Sequence, residues 1–162
     1  GVKTILNLAP AITIPSRALG HLDYLIVNSI EARQIAQKLN LTTENNALKL
    51  AQALAIQGQL TCIVTLGKQG SVAVTKEGHA WGVPIMPLEQ SLVVDISGAG
   101  DAYCGTFAAA IHAGVALPEA MRRASVAGSL TCLKEGTQDA MPFQADIEAA
   151  MANMPPAETL KI

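Results

Sequence analysis

Aromatic and charged side chains are both scarce in this sequence. Of the 162 residues, 3% are aromatic and 15% are charged, whereas 50% are hydrophobic. A chain with this much apolar material is not disordered. With 11 Lys and Arg against 13 Asp and Glu, it also lacks the basic excess of a protein that binds nucleic acid through phosphates. The core must therefore consist of Ala, Leu, Ile and Val, which suits a layered α/β fold, and we expect no nucleic-acid partner.

Cysteine pairs and long hydrophobic runs are missing as well. Cys62, Cys104 and Cys132 are an odd number without a close pair, so we expect neither a disulfide framework nor a zinc site. This use of cysteine favours a reducing, cytoplasmic setting. No apolar run approaches the roughly 18 residues of a membrane span, and no leader pattern is present, so we expect no membrane partner and no signal peptide. The strand-like run directly after Gly1 suggests part of a longer protein.

Short apolar runs alternate with helical patterns along the chain, which predicts an α/β fold with a mostly parallel sheet. Tight turns at 67–70 and 77–79 predict an antiparallel hairpin within it, and residues from 155 onward are expected to fray. Small residues in the helices after residue 97, such as Gly128, favour close packing. The predicted strands are residues 2–8, 22–27, 61–66, 71–74 and 92–94. The predicted helices are residues 30–39, 43–56, 98–113, 117–133 and 145–151.

The stretch from Val93 to Asp101 is the strongest candidate for chemistry. A β-branched run leads into Gly98-Ala99-Gly100 and then opens a long apolar helix. The first N–H groups of a helix have no partner within the helix and carry partial positive charge, so this turn predicts an anion site. Glycine at positions 98 and 100 lets a phosphate approach the backbone closely.

Asp101 is unexpected beside a phosphate site because its carboxylate repels the ligand. It could serve as a general base that takes a proton from an alcohol attacking a γ-phosphorus. It could equally do no more than favour the start of the helix, which is worth about 0.3–1 kcal/mol. The residues alone leave both interpretations open.

Asn28-Ser29-Ile30-Glu31 follows a predicted strand and opens a helix, and this spacing also has two interpretations. Asn28 and Glu31 could form a capping box, which is purely structural. They could instead organise hydrated Mg²⁺ near phosphates, because ligands of open α/β sheets bind at the carboxyl ends of the strands.

Placed in order, these stretches resemble the C-terminal half of the ribokinase-like (PfkB) carbohydrate kinase family. Asn28-x-x-Glu31 resembles the family's Asn-x-x-Glu motif, and Asp95-x-x-Gly98-Ala99-Gly100-Asp101 resembles its second signature. The resemblance spans nearly the whole chain. Three further stretches resemble family sequences: Thr65-Leu66-Gly67 with Gly70, Lys134-Glu135-Gly136-Thr137-Gln138 with Pro142, and Asn7-Leu8-Ala9-Pro10.

The resemblance implies a role for each matching residue. Asp101 is implied as the base that deprotonates the sugar hydroxyl, and Gly98, Ala99 and Gly100 as the anion hole for the transferring phosphoryl group. Asn28 and Glu31 are implied to order Mg²⁺ and the phosphates, largely through water. The nucleotide cleft is implied at Thr65, Gly67 and Gly70, and a potassium site at Asp95, Ser97 and carbonyl groups from Thr131 to Ala140, including Gly136.

The implied activity is ATP-dependent transfer of the γ-phosphoryl group of Mg·ATP to a primary hydroxyl of a sugar. Ribose is the expected acceptor by analogy, and K⁺ is the expected activator. Fructose, a deoxy-gluconate or a nucleoside are alternative acceptors within the family, and a non-catalytic nucleotide-binding half is an alternative outside it. A Rossmann-type oxidoreductase is disfavoured because the spacing Gly-x-Gly-x-x-Gly is missing.

The sequence departs from the family pattern in two ways. Ile96 stands where the family usually has Thr, and Leu8 where Pro is usual. More importantly, nothing here matches the N-terminal half of the family, with its sugar-binding motif and β-stranded lid. We therefore expect residues 1–154 to be the nucleotide-binding and catalytic part, followed by a tail at 155–162, and the isolated chain to be incomplete for catalysis. A homodimer is possible for a full-length protein, since the lid often supplies that contact.

Overall fold

The computed structural model describes residues 1–41 and 44–162, and one six-stranded mixed sheet runs through it in the order β1-β2-β3-β4-β5-β6. β1 to β3 are parallel, whereas β3 pairs with β4 and β5 pairs with β6 in antiparallel fashion. The predicted α/β class with a mixed sheet is thereby confirmed, but the sheet is not mostly parallel, because the short turn between β3 and β4 allows only antiparallel pairing and β6 adds a second antiparallel pair. The strands are β1 (Ile5–Asn7), β2 (Tyr24–Asn28), β3 (Thr61–Thr65), β4 (Ser71–Val74), β5 (Ala80–Val83) and β6 (Glu158–Leu160).

The chain divides into two compact units, residues 1–82 with 158–162 and residues 83–157. The first unit contains the helices α1 (Ser16–Leu19), α2 (Ser29–Lys38) and α3 (Ala47–Gly58). The second contains α4 (Ala99–His112), α5 (Leu117–Thr131) and α6 (Gln144–Ala150). No helix in the described part of the chain is both long and apolar enough to cross a bilayer.

The core of the first unit forms where β2 and β3 run side by side. Leu25 pairs with Cys62 and Val27 with Val64, and all four side chains are buried. A strand buried on both faces reads as a continuous apolar run, which is why these two strands were recognisable from the sequence. α3 packs against β3 and β4, with Leu50 and Leu54 among its buried residues. Burial raises the pKa of the Cys62 thiol well above its usual range, so this cysteine is an inert core residue.

Two predictions need correction, one of a strand and one of a frayed tail. Residues 92–94 form no strand: a 3-10 turn covers Gln90–Leu92, and the Val94 N–H donates to the Cys132 carbonyl (2.9 Å) instead of entering the ladder. The tail was expected to fray, yet Glu158–Leu160 forms β6, because its backbone pairs with the edge of β5. Residues 155–157 precede that strand without regular structure.

Several element boundaries also differ from the prediction. β1 is shorter than residues 2–8, and Val2 is 92% exposed, so the first residues do not join the sheet. The helix predicted at 43–56 begins at Ala47, because the Asn46 side chain caps it by accepting the N–H groups of Leu48 and Lys49. Residue 43 lies outside the described part of the chain. The short helix α1 carried no clear pattern and was missed.

Asp23, in the loop before β2, forms hydrogen bonds with Thr4, the residue directly before β1. Its Oδ2 accepts the Thr4 backbone N–H at 2.9 Å and the Thr4 hydroxyl at 3.1 Å, and Lys3 Nζ lies 3.3 Å from Oδ1. The Thr4 N–H, as the largest cause, holds the pKa of this carboxyl below its usual value. The bonded carboxylate therefore stabilises the fold above the ordinary pKa of Asp.

We predict that Asp23→Asn makes the free energy of unfolding depend less on pH in the acid range. A lowered folded-state pKa means stabilisation that is present above the unfolded-state pKa and is lost as the pH falls through the folded-state value. The wild type should lose free energy of unfolding from about pH 4 downward, and the variant should lose less of it. Urea denaturation at pH 7 and at pH 3 measures this. Equal losses in the two proteins would contradict the assignment.

Candidate functional site

The first turn of α4 presents its backbone N–H groups without a side-chain cap. Gly98 is the N-cap residue, at φ 78°, and no side chain caps the helix. The Gly98 carbonyl accepts the Ala102 N–H at 2.9 Å, and the Ala99 N–H reaches the Ile96 carbonyl only at 3.4 Å. Donors at a helix start that lack a capping side chain are suited to bind an anion. The turn predicted as an anion site therefore has the required geometry.

Glycine at position 98 is enforced by its conformation and by its neighbour. A positive φ is disfavoured for residues with a side chain, and a Cβ at this position would lie 3.3 Å from the Thr137 Cα and 3.5 Å from the Thr137 carbonyl oxygen. At Gly100, by contrast, an added Cβ would meet nothing within 4 Å. Openness at Gly100 keeps the approach to the first turn of α4 free.

Gly128 positions α5 against the same turn. A Cβ at Gly128 would lie 3.1 Å from the Ala99 carbonyl oxygen, a closer approach than most side chains tolerate. The sequence predicted close helix packing from Gly128, but not that the packing supports the first turn of α4. Gly128 lies on a different helix from the motif that it contacts, so the sequence around Gly128 does not predict this contact.

Asp101 lies in the first turn of α4, and its side chain is exposed. Cys104 follows three residues later, and residues at this spacing are neighbours on a helix surface. Burial raises the pKa of the Cys104 thiol, and the negative charge of Asp101 raises it further. The carboxylate is thus accessible beside the uncapped N–H groups, which is the arrangement that a general base acting on a bound phosphate donor requires.

Asp95 joins the loop before α4 to the loop after α5. The Ser97 N–H donates to its Oδ1 at 2.9 Å and the Gly136 N–H to its Oδ2 at 3.4 Å. Hydrogen bonds from Ser97, its backbone N–H first, hold the pKa of Asp95 below the usual value. The structure therefore brings together three of the residues predicted for a cation site: Asp95, Ser97 and Gly136.

Thr131 and Ala140 can contribute only carbonyl oxygens to such a site. The Thr131 hydroxyl is fully buried and donates to the Ala127 carbonyl at 2.9 Å, and Ala140 has no polar side chain and is 1% exposed. Oxygen ligands of carboxylate and carbonyl type fit a hard cation such as K⁺. The donor set is chemically suitable, and its membership stays a prediction.

Asn28 and Glu31 form the capping box of α2 in the first unit. The Glu31 N–H donates to Asn28 Oδ1 at 2.9 Å, and the Asn28 N–H donates to Glu31 Oε2 at 2.8 Å. Glu31 is buried, at 8% exposed, whereas Asn28 is exposed. The structural interpretation of this motif is thereby confirmed, and the predicted role with Mg²⁺ stays a prediction.

Thr65 lies beside Asn28 at the carboxyl ends of two parallel strands. The two residues are register partners of β3 and β2, and the Thr65 hydroxyl donates to the Val27 carbonyl at 3.4 Å. Gly67 and Gly70 follow in the β3–β4 turn, both with positive φ. This edge is where open α/β sheets bind ligands. The predicted nucleotide-side residues of the first unit are therefore neighbours.

No group of three or more His, Cys, Asp or Glu residues that could hold a metal occurs within residues 1–41 and 44–162. Carboxylate and amide oxygens at Glu31 and Asn28 fit Mg²⁺ that keeps most of its water ligands.

The chain belongs to the pfkB family of carbohydrate kinases, whose family profile matches residues 4–144. It is 29% identical over 148 residues to the ribokinase of Staphylococcus aureus, a match that covers 91% of this chain and 47% of that protein. The chain thus spans about half the length of this curated relative.

Solved structures show the same fold. The ribokinase of Thermotoga maritima matches with a TM-score of 0.84 and 27% identity, over 93% of this chain and 49% of that one. The Arabidopsis thaliana ribokinase, solved in complex with ribose and ATP, matches with a TM-score of 0.80 and 28% identity, over 93% of this chain and 47% of that one. The predicted ribokinase-like fold is therefore confirmed.

We predict opposite effects of alanine at the two glycines of the α4 turn. Gly98→Ala should destabilise the chain by roughly 1–2 kcal/mol, because Ala must adopt a left-handed conformation and approach Thr137. Gly100→Ala should be neutral or stabilising by up to about 1 kcal/mol, because the site is open and the backbone helical. Urea denaturation of both variants tests this, and equal stabilities would contradict the described turn.

Proposed function

We propose that this chain provides the nucleotide-binding and catalytic half of an ATP-dependent sugar kinase of the ribokinase type. The observation that carries the proposal is the exposed carboxylate of Asp101 in the first turn of a helix whose N-terminal N–H groups have no side-chain cap. Membership of the pfkB family supports it. The acceptor site would lie largely in polypeptide outside this chain.

The proposed reaction moves one phosphoryl group. Asp101 takes the proton of a primary hydroxyl, whose oxygen then attacks the γ-phosphorus as the bond to the bridging oxygen of ADP breaks. The N–H groups of Gly98, Ala99 and Gly100 hold the phosphoryl oxygens where negative charge develops. Because these donors are fixed by the helix, they need little reorganisation during the reaction.

Mg²⁺, when bound with ATP, neutralises phosphate charge. Asn28 and Glu31 would orient its water ligands, and Thr65, Gly67 and Gly70 would line the nucleotide side. K⁺ would be held by Asp95 and nearby carbonyl oxygens, next to the anion hole. These assignments rest on the family motifs together with the oxygen donors described above.

Ribose is the proposed acceptor because ribokinases dominate the matched relatives, and the Arabidopsis ribokinase is solved with ribose and ATP. The competing proposal is a nucleotide-binding half without catalysis. The accessible Asp101 beside uncapped N–H groups favours the kinase. A carboxylate at this place repels a bound anion, so it suits a protein that uses it to take a proton from the acceptor better than one that only binds nucleotide.

The test protein is a fusion that carries the unmatched half of Thermotoga maritima ribokinase ahead of Gly1, hereafter the fused protein. We predict ATP-dependent formation of ribose phosphate by the fused protein, and a loss of about 10²–10⁴-fold in kcat in its Asp101→Asn variant. Calorimetry should show nearly unchanged affinity for Mg·ATP. Glu89→Gln is the control, since Glu89 is an exposed acid outside the assigned residues. Normal turnover in the Asp101 variant would refute the base assignment.

A second prediction separates the two roles of Glu31. Glu31→Gln keeps an oxygen that can accept the Asn28 N–H, so the free energy of unfolding should change by no more than about 1 kcal/mol. The Mg²⁺ concentration that gives half-maximal activity of the fused protein should rise several-fold. An unchanged Mg²⁺ dependence would leave Glu31 as a helix cap alone.

A further inference from the structure

The last strand of the sheet, β6, is short and mostly exposed. It has three residues, of which Glu158 and Thr159 are exposed, while Leu160 is half-buried beside Gly82 of β5. A short strand at a sheet edge opens readily. Residues 83–157 also lie between β5 and β6 in the chain, so the pairing of the two strands closes a long loop at a cost in conformational entropy. β6 therefore depends on contacts of the chain next to it.

One arginine of α5 binds the chain just before β6. Arg122 Nε donates to the Pro155 carbonyl at 2.8 Å, and Nη2 donates to the Met154 carbonyl at 2.6 Å. Nη1 pairs with Glu119 at 2.6 Å, and the Arg122 side chain is only 21% exposed, so water competes little for these donors. Hydrogen bonds from a charged donor are stronger than those between neutral groups. Arg122 therefore holds two successive carbonyl groups in one arrangement.

The two carbonyl groups belong to a stiff segment, residues 154–160, hereafter the C-terminal strap. Pro155 and Pro156 have a fixed φ, and a residue before proline favours an extended backbone, as Met154 shows at φ −85° and ψ 121°. A stiff segment loses little entropy when it is bound. Because only two peptide units separate Pro156 from Glu158, the contacts of Arg122 also restrict where β6 begins.

The same helix binds the chain where it leaves β5. The strand ends at Val83, and the carbonyl of the next residue, Pro84, accepts the hydroxyl of Ser125 at 2.9 Å. Ser125 is buried and lies three residues after Arg122 on α5, a spacing at which side chains are neighbours on the helix surface. α5 thus holds both ends of residues 83–157, each next to the strand that it continues.

We propose that Arg122 and Ser125 form a clasp on which the pairing of β6 with β5 depends. While the clasp is closed, α5 already holds the two ends of the long loop together, so the pairing costs little further entropy. When it opens, the C-terminal strap separates and leaves β5 as an unpaired sheet edge, which can associate with other strands. The clasp is a conformational device of the fold and does not rest on the proposed kinase reaction.

Hydrogen exchange of the chain, followed amide by amide by NMR, tests the proposal. In Arg122→Gln, the slowest amide of Glu158–Leu160 should exchange about tenfold faster or more, because a charged donor to two carbonyl groups is lost. The amide of Val27, in the core of β2, should keep its rate. Arg123→Gln is the matched control: it makes the same change one residue further on, at a side chain whose ion pair is with Glu119 at 3.8 Å. It should leave β6 unchanged.

Two results of this experiment would overturn the proposal. One is an unchanged rate at β6 in Arg122→Gln. The other is an equal acceleration at Val27, which would mean that Arg122 stabilises the whole chain and not the C-terminal strap in particular.

Ser125→Ala guards against an Arg122 variant that does not fold. It removes one neutral hydrogen bond and introduces a good helix former, so the circular dichroism spectrum should stay the same. The slowest amide of β6 should exchange several-fold faster. Added to Arg122→Gln, the change should have little further effect, because the clasp is already open. An unchanged rate in Ser125→Ala, or effects that multiply in the double variant, would overturn the clasp.

Discussion

The close approach of one loop and one helix to the first turn of α4 is the constraint on which the candidate site depends. Gly98 takes a left-handed conformation against Thr137, and Gly128 brings α5 to the carbonyl of Ala99. Side chains larger than hydrogen at these places would push the turn away. At the turn that these contacts position, no side chain caps the N–H groups, and Asp101 is exposed.

The sequence predicted the parts of the fold that local physics decides. β2 and β3 are continuous apolar runs because both faces are buried, and the Gly67–Gly70 turn is followed by an antiparallel partner as its glycines require. β6 was beyond prediction because its pairing with β5 joins residues far apart in the chain, and its own composition resembles a tail. The strand predicted at residues 92–94 is absent. Its β-branched residues favour a strand, but hydrogen bonds to the distant Cys132 carbonyl decide the conformation instead.

The candidate site was predictable to a similar extent. Gly98, Gly100 and Asp101 are adjacent in sequence, so their spacing alone indicated an anion site at a helix start. Asn28 and Glu31 illustrate a limit, because the spacing that caps α2 is also the spacing of the Asn-x-x-Glu motif that the family resemblance singled out, so the spacing alone could not separate a structural role from a functional one. The contacts of Thr137 and Gly128 with the turn depend on tertiary packing, so the sequence around these two residues did not predict them.

The most direct test of the account is a titration of the ¹⁵N-labelled chain with Mg·ATP, followed by assigned amide resonances. The account predicts saturable shifts that are largest at the N–H groups of Gly98, Ala99 and Gly100, since these donors would meet the phosphates. Saturable binding that leaves these three resonances unmoved would contradict it, as would the absence of any shift in a folded sample at millimolar Mg·ATP.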